Sequence, residues 1–194
     1  MKILAFSDVH GNPTIIKTLL EKANNADILV CAGDISIFSN NLKQILEKFK
    51  KTQKQLLIIP GNHESPKDLE NINNSVISIH KGAYRIDNIV FIGYGTGGFS
   101  KVDKEFELFI KKVKPTLRKD DKVILVTHGP PYGTKLDKLP YFEHVGSTSY
   151  RKAISQIKPF LYICGHLHEN FNKKDKVDKT FIINPGPEGK LINV

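Results

Sequence analysis

The chain has 194 residues, 40% of them hydrophobic, which suits one domain with an ordinary core and leaves no room for a separate regulatory domain. Its formal net charge of +9 is almost all lysine, since only Arg85, Arg118 and Arg151 among the 29 basic residues are arginine; base reading favours the arginine fork, so sequence-specific DNA recognition is disfavoured, while a basic field suits small anionic substrates. No apolar run approaches 18 residues, no signal-peptide pattern follows Met1, and Cys31 and Cys164 both lie in buried-strand patterns, so the expectation is a cytoplasmic protein with reduced thiols and no membrane contact.

In chain order, the run ILAFSD reads as a buried strand ending on Asp8. Asn12-Pro13 then supplies an N-cap with proline at the first helical position, and Ile15, Ile16, Leu19 and Leu20 give the helix an apolar face to about Ala23. ILVCAGD is a second strand, ending on Asp34. After the polar Ser39-Asn40-Asn41, residues Leu42, Ile45, Leu46 and Phe49 repeat helical spacing and lead to a third strand, LLIIPGN, ending on Asn62. This βαβαβ opening predicts parallel strands with right-handed crossovers. Ser65 to Asp68 has capping-box spacing and predicts a short helix.

From residue 76 the pattern changes to short strands over 76–80, 84–86 and 89–93, which suggest hairpins and a mixed or second sheet. Phe106, Phe109, Ile110 and Val113 mark a third helix before the strand VILVTH, which ends on His128. The stretch 129–146 is irregular and long enough to suggest function. A helix from about Ser147 turns Tyr150, Ala153, Ile154 and Ile157 inward, the strand YICGH ends on His166, and strands over 181–183 and 191–194 close the chain.

Five strands therefore end on a residue able to bind metal, and α/β sheets place their ligands beyond the carboxyl ends of strands. Each local motif is weak alone: Asp8-Val9-His10 and Gly33-Asp34 are common turns, and Gly61-Asn62-His63-Glu64 is only moderately specific. Gly165-His166-Leu167-His168 is stronger, with two imidazoles on one side of an extended segment. Mixed imidazole and oxygen donors suit Mn²⁺, Fe, Zn²⁺ or Ni²⁺, and the absence of cysteine from the set argues against a closed structural zinc.

The ordered motifs D-x-H, G-D, G-N-H-[DE], H and G-H-x-H, running from Asp8 to His168, resemble the signature of the calcineurin-like metallophosphoesterases. The resemblance is to a small single-domain branch that includes the metallophosphoesterase-domain proteins linked to cyclic-nucleotide hydrolysis. It implies one domain over 1–194, an α/β fold arranged as a four-layer α/β/β/α sandwich with two mixed sheets, and a dinuclear hydrolase with Mn²⁺ as the first expectation. It assigns Asp8, His10, Asp34 and His168 to one ion and Asp34, Asn62, His128 and His166 to the other. A shared water, deprotonated near neutral pH, would attack phosphorus in line.

His63 follows a ligand without being one in that pattern, and reads as the acid for the leaving oxygen or a cationic stabiliser. Glu64 reads as a hydrogen-bonding support for His63 or a ligand imidazole, or as a helix-entry charge. His144 and Ser147 are candidate substrate contacts, the latter through a helix N-terminus. The segment 95–99 is a second candidate wall, Asn184-Pro185-Gly186-Pro187 resembles the family's closing turn beside the ligands, and His80 reads as a strand-edge histidine without a role. The leading expectation is a phosphodiesterase acting on a small phosphoester, cyclic nucleotides included. The alternatives are a nuclease, a phosphomonoesterase, or a non-catalytic scaffold on the same fold; a homo-oligomer is compatible with all of them.

Overall fold

The computed structural model describes residues 1–194 apart from Asn71, Asn73, Gly98 and Phe99. Strand β1 (Lys2–Phe6), helix α1 (Pro13–Ala23), β2 (Ile28–Cys31), α2 (Leu42–Lys50) and β3 (Leu56–Ile58) form the expected βαβαβ opening, with all three strands parallel. Asn12 caps α1, its Oδ1 accepting from Thr14 N at 3.0 Å and Ile15 N at 3.2 Å. The turn after β3 leads into a 3-10 helix at Pro66–Leu69, where the Asp68 carboxylate accepts the Ser65 N–H at 2.8 Å.

The short strands divide differently from the sequence expectation. β4 (Val76–Ser78) pairs parallel with β3 and completes the first sheet, while β5 (Gly82–Ile86) and β6 (Ile89–Tyr94) form a hairpin that opens the second. Close spacing on the chain suggested one set of hairpins. The chain instead passes from one sheet to the other at Lys81, which takes a φ of 51°. Then follow α3 (Lys104–Val113), β7 (Lys122–Thr127), α4 (Thr148–Ile157), β8 (Leu161–Ile163), β9 (Lys174–Val177), β10 (Thr180–Ile183) and β11 (Lys190–Asn193). Strand orders are β11-β1-β2-β3-β4 and β5-β6-β7-β8-β10-β9. β9 was not foreseen: its sequence Lys-Asp-Lys-Val lacks an apolar alternation, because it is an edge strand paired only with β10.

Three apolar clusters define four layers. Alternation along β1 sends Ile3 and Ala5 into a core between the sheets, with Val30, Leu57, Phe91, Ile124 and Ile163, and sends Leu4 and Phe6 to the opposite face. There Leu4 and Phe6 meet Ile16 and Leu19 of α1 and Leu46 and Phe49 of α2. The Phe6 and Phe49 rings stack with centroids 5.5 Å apart, and burying a side chain of that size contributes about 2–3 kcal/mol. On the other outer face Phe106 and Ile110 of α3, with Tyr150, Ala153, Ile154 and Ile157 of α4, cover β6, β7 and β8. The molecule is the expected α/β/β/α sandwich. Cys31 and Cys164 are free thiols in the two different outer cores, where burial raises both pKa values well above the ordinary thiol value. Among the described residues no helix is long and apolar enough to cross a membrane.

Candidate metal centre

Asp8 and His10 lie just past β1, Asp34 past β2, Asn62 past β3, His128 directly after β7, and His166 and His168 past β8. The loops carrying them are strained and laced together. Asp8, His10, Asp34 and His166 hold positive φ values of 56, 50, 53 and 70°, a region that costs a non-glycine residue about 1–3 kcal/mol. Backbone bonds fix them there: Asp8 N donates to Gly33 O at 3.0 Å, His10 N to Asp34 O at 3.0 Å, and Gly165 N to His128 O at 2.8 Å.

The fold brings the metal-binding side chains into two touching groups. In one, His10 Nε2 faces His168 Nε2 at 3.2 Å, and His168 Nε2 lies 3.7 Å from Asp8 Oδ1. In the other, Asn62 Oδ1 lies 3.0 Å from His128 Nε2 and 3.2 Å from His166 Nδ1, with Asp34 Oδ2 3.3 Å from His128 Nε2. Ligand atoms about 2.1 Å from a shared ion stand roughly 3.0–3.4 Å apart at angles between square and tetrahedral. The donor set therefore fits metal. Asp34 joins the groups: one of its carboxylate oxygens lies within 4.8 Å of donor atoms of both Asp8 and His128, and one within 4.8 Å of donor atoms of both His10 and His63.

Further hydrogen bonds aim the donors. His128, fully buried, donates from Nδ1 to Ala32 O at 2.8 Å, so Nε2 is the ring nitrogen turned toward Asp34 and Asn62. Asp8 accepts the His166 N–H on both oxygens at 3.1 Å, and Asp34 Oδ1 accepts the His63 N–H at 2.9 Å. Glu64 is buried, and its role differs from the expectation: its oxygens take Asp34 N at 3.0 Å, Gly61 N at 3.1 Å, Ser36 N at 2.8 Å and Ser36 Oγ at 2.7 Å. It holds the loop of Asp34, rather than an imidazole or a helix entry. Gly61 and Gly165 are required by close approach, since a Cβ at either would strike the carboxylate of Asp34 or Asp8. The closing turn also supports the site: Asn184 Nδ2 donates to Leu167 O at 3.2 Å, and Gly186 O accepts the N–H of Ser7 at 3.2 Å.

Electrostatics act on the donors in both directions: the carboxylates and two of the imidazoles shift toward the ligating form, whereas His128, where burial is outweighed by the hydrogen bond and charge of Asp34, and His168, through its hydrogen bond to Asp8, are raised. Burial raises the Asp34 pKa, but its hydrogen bond and charge attraction with His128 outweigh burial and bring it down to about 2. Asp8 is also lowered, burial being outweighed by His168 and His128. Burial, followed by repulsion from His128, pushes His166 down to about 4, so its imidazole is neutral at pH 7. Burial likewise lowers His10.

The remaining candidates lie elsewhere or do something else. The His63 ring stands 5.0 Å from that of His10, and its Nδ1 accepts the Phe38 N–H at 3.4 Å. His144 donates from Nδ1 to Oδ1 of the buried Asp137 at 2.8 Å and packs on Tyr132. Ser147 is fully buried; its hydroxyl caps α4 at Tyr150 N and donates to Lys101 O, both at 3.4 Å. None of these bonds of His144 or Ser147 reaches the histidine cluster. His80 has a structural partner, its Nδ1 accepting Gly95 N at 3.0 Å, while Gly98 and Phe99 of the 95–99 segment lie outside the described residues. Phe38 and Asp137 were missed from sequence, one an isolated aromatic and the other an isolated acid, neither in a periodic pattern.

A strand-end cluster of two carboxylates, an amide and four imidazoles, on an α/β/β/α sandwich, is the arrangement of a metallophosphoesterase. The family model described as calcineurin-like phosphoesterase superfamily domain matches residues 1–191, and the chain belongs to that family. It is 29% identical to protein MJ1162 of Methanocaldococcus jannaschii over 99% of this chain and 91% of that one. Among solved structures it resembles TT1561 of Thermus thermophilus (TM-score 0.77, 16% identity, 96% and 90% of the two chains covered). It also resembles a dimetal phosphatase from Danio rerio (TM-score 0.66, 12% identity, 94% and 86% covered).

Proposed function

We propose that this protein hydrolyses small phosphodiesters, cyclic nucleotides among them, using two divalent transition-metal ions with Mn²⁺ foremost. Asp8, His10, Asp34 and His168 would hold one ion and Asp34, Asn62, His128 and His166 the other, with Asp34 shared. The observation that carries this reading is the spacing of the donors: seven side chains from five strand ends, each within 3.0–3.7 Å of another donor, with no member of the family pattern missing. When bound, the ions supply a hydrolytic water acidified to near neutral pH and positive charge against the phosphoryl oxygens.

The chain's own groups do the rest. Asn62 donates an oxygen without a charge, so only Asp8 and Asp34 offset the ions and the site stays attractive to a phosphoester anion. Because His63 Nδ1 accepts the Phe38 N–H, the neutral ring carries its proton on Nε2. That proton can be given to the leaving oxygen, a contribution of about 10²–10⁴ in rate. The decisive experiment assays bis-p-nitrophenyl phosphate, p-nitrophenyl phosphate and 2′,3′- and 3′,5′-cyclic nucleotides with Mn²⁺, Ni²⁺, Zn²⁺ or Mg²⁺. Turnover of diesters that needs two ions per chain supports the reading; a fully loaded protein that cleaves none of them refutes it.

A further inference from the structure

The loop between β2 and α2 holds an uncommon backbone conformation. Phe38, Ser39 and Asn41 all take positive φ, at 47, 58 and 55°, although only Asn enters that region readily. The loop is bolted to the turn that carries His63: Ser39 N donates to His63 O at 3.0 Å, Phe38 N to His63 Nδ1 at 3.4 Å, and Ser39 Oγ to Asp68 Oδ2 at 2.7 Å. The outcome is two apolar side chains raised into solvent, Ile37 at 44% and Phe38 at 73% exposure. A single exposed apolar residue is ordinary. Here, however, a strained backbone sets the exposed ring edge-on against His63, with centroids 4.6 Å apart, and strain of this kind gathers where a ligand is met.

The residue before Phe38 borders a cleft with room for an organic group. A cleft of about 340 Å³ opens at His10 and follows the same loop along Ile37, Asn40, Asn41, Gln44 and Lys48, a size within the range of small-molecule sites. Asn41 stands at the N-cap of α2 but makes no capping bond, so its amide is not committed to the helix. The loop thus presents a flat apolar face at the leaving-group side of the centre and amide groups in the adjoining cleft.

We infer that Phe38 determines specificity by stacking a flat aromatic ring of the leaving group, so that the preferred substrates are phosphoesters of arylmethyl alcohols or nucleosides. This rests on the phosphoesterase reading above, in which His63 serves the leaving oxygen. An aromatic group laid on Phe38 would hold that oxygen beside His63. A saturated group of equal bulk would lose the face-to-face contact and keep only the burial of its surface.

Binding to the Mn²⁺-loaded full chain, measured by calorimetry, tests the inference without relying on turnover. Benzylphosphonate is compared with cyclohexylmethylphosphonate, and adenosine 5′-monophosphate with ribose 5-phosphate; inorganic phosphate is the reference. The wild type should bind the aromatic member of at least one pair about tenfold more tightly, and the pair that responds tells an aryl group from a nucleoside. Phe38→Leu should reduce that preference to about twofold or less, and Phe38→Tyr should retain it. A wild type with no aromatic preference in either pair, or a preference that survives in Phe38→Leu, overturns the inference. Hydrolysis of bis-p-nitrophenyl phosphate by the wild type is followed alongside. Turnover without aromatic preference overturns only the role of Phe38, whereas aromatic preference without any turnover overturns the phosphoesterase reading.

Discussion

Glu64 reaches behind Asp34 and takes its backbone N–H at 3.0 Å, so the carboxylate placed between the two donor groups is held by a second, buried carboxylate that touches neither group's ring nitrogens. The same side chain binds Gly61 and Ser36, and so ties the ends of β2 and β3 together. Four bonds to one charged acceptor make this a concentrated point of stability. Glu64→Gln turns an amide N–H toward donors that need an acceptor. The variant should lose about 2–3 kcal/mol in urea unfolding of the metal-free protein and bind metal more weakly. An unfolding midpoint equal to wild type would refute the support role.

Asp34→Ala should abolish phosphoester hydrolysis more completely than removal of any unshared donor, because in the proposed arrangement one deletion takes a ligand from both ions. Elemental analysis should show metal content falling with it. Two ions per chain and normal turnover in the purified variant would sink the shared assignment.

Acid titration offers a separate reading of the same residue. The Asp34 pKa of about 2 lies below the ordinary carboxylate value of 3.8, so its stabilising contribution is complete above that value and is lost as pH falls toward 2. The shift corresponds to about 2 kcal/mol. Urea unfolding of the metal-free protein between pH 4 and pH 2 should show this loss, and Asp34→Asn should show a correspondingly shallower slope over the same window.

His63→Ala should lower turnover by about 10² or more while both ions stay bound. The penalty should shrink for p-nitrophenolate, which departs without needing a proton, and grow for alkyl leaving groups. Metal lost in step with activity would show that His63 supports the ligands instead.

The loop 129–146 is organised from within by Asp137. This buried carboxylate accepts from Gly133 N at 3.0 Å, Thr134 N at 2.7 Å and Gly146 N at 3.0 Å, and it holds His144. Tyr141, at the opposite extreme, is 95% exposed. If the loop walls the substrate cleft, alanine at Tyr132, Tyr141 or His144 should change the ranking of diesters, monoesters and cyclic nucleotides by about 1–3 kcal/mol with the metals in place. An unmoved ranking in all three variants would assign the loop to packing alone.

Strands with one dominant physical cause were legible in the sequence. The continuous apolar runs of β1, β2, β7 and β8 are buried on both faces, and Asp8, Asp34, His128 and His166 could be picked out as candidate donors because they stand where those runs stop, whereas His10 and His168 lie two residues further on. Elements with a weaker cause were not. β9 is charged because one of its edges is free, and β4, though foreseen as a strand within 76–80, carries nothing that shows it joining β3 in the first sheet rather than a hairpin. Glu64 was recognised as important but given the wrong partners, because four of its bonds run to backbone and a serine hydroxyl brought near only by the pairing of β2 with β3. Phe38 escaped notice for a related reason: exposure and strain have no signature in a single sequence.

The left-handed backbone at Asp8, His10, Asp34 and His166 is held by bonds that run from one strand-end loop to the next: Asp8 to Gly33, His10 to Asp34, Gly165 to His128, and the His166 N–H to the Asp8 carboxylate. The loops therefore behave as a single woven rim, and no donor can shift without dragging the backbone of its neighbour along.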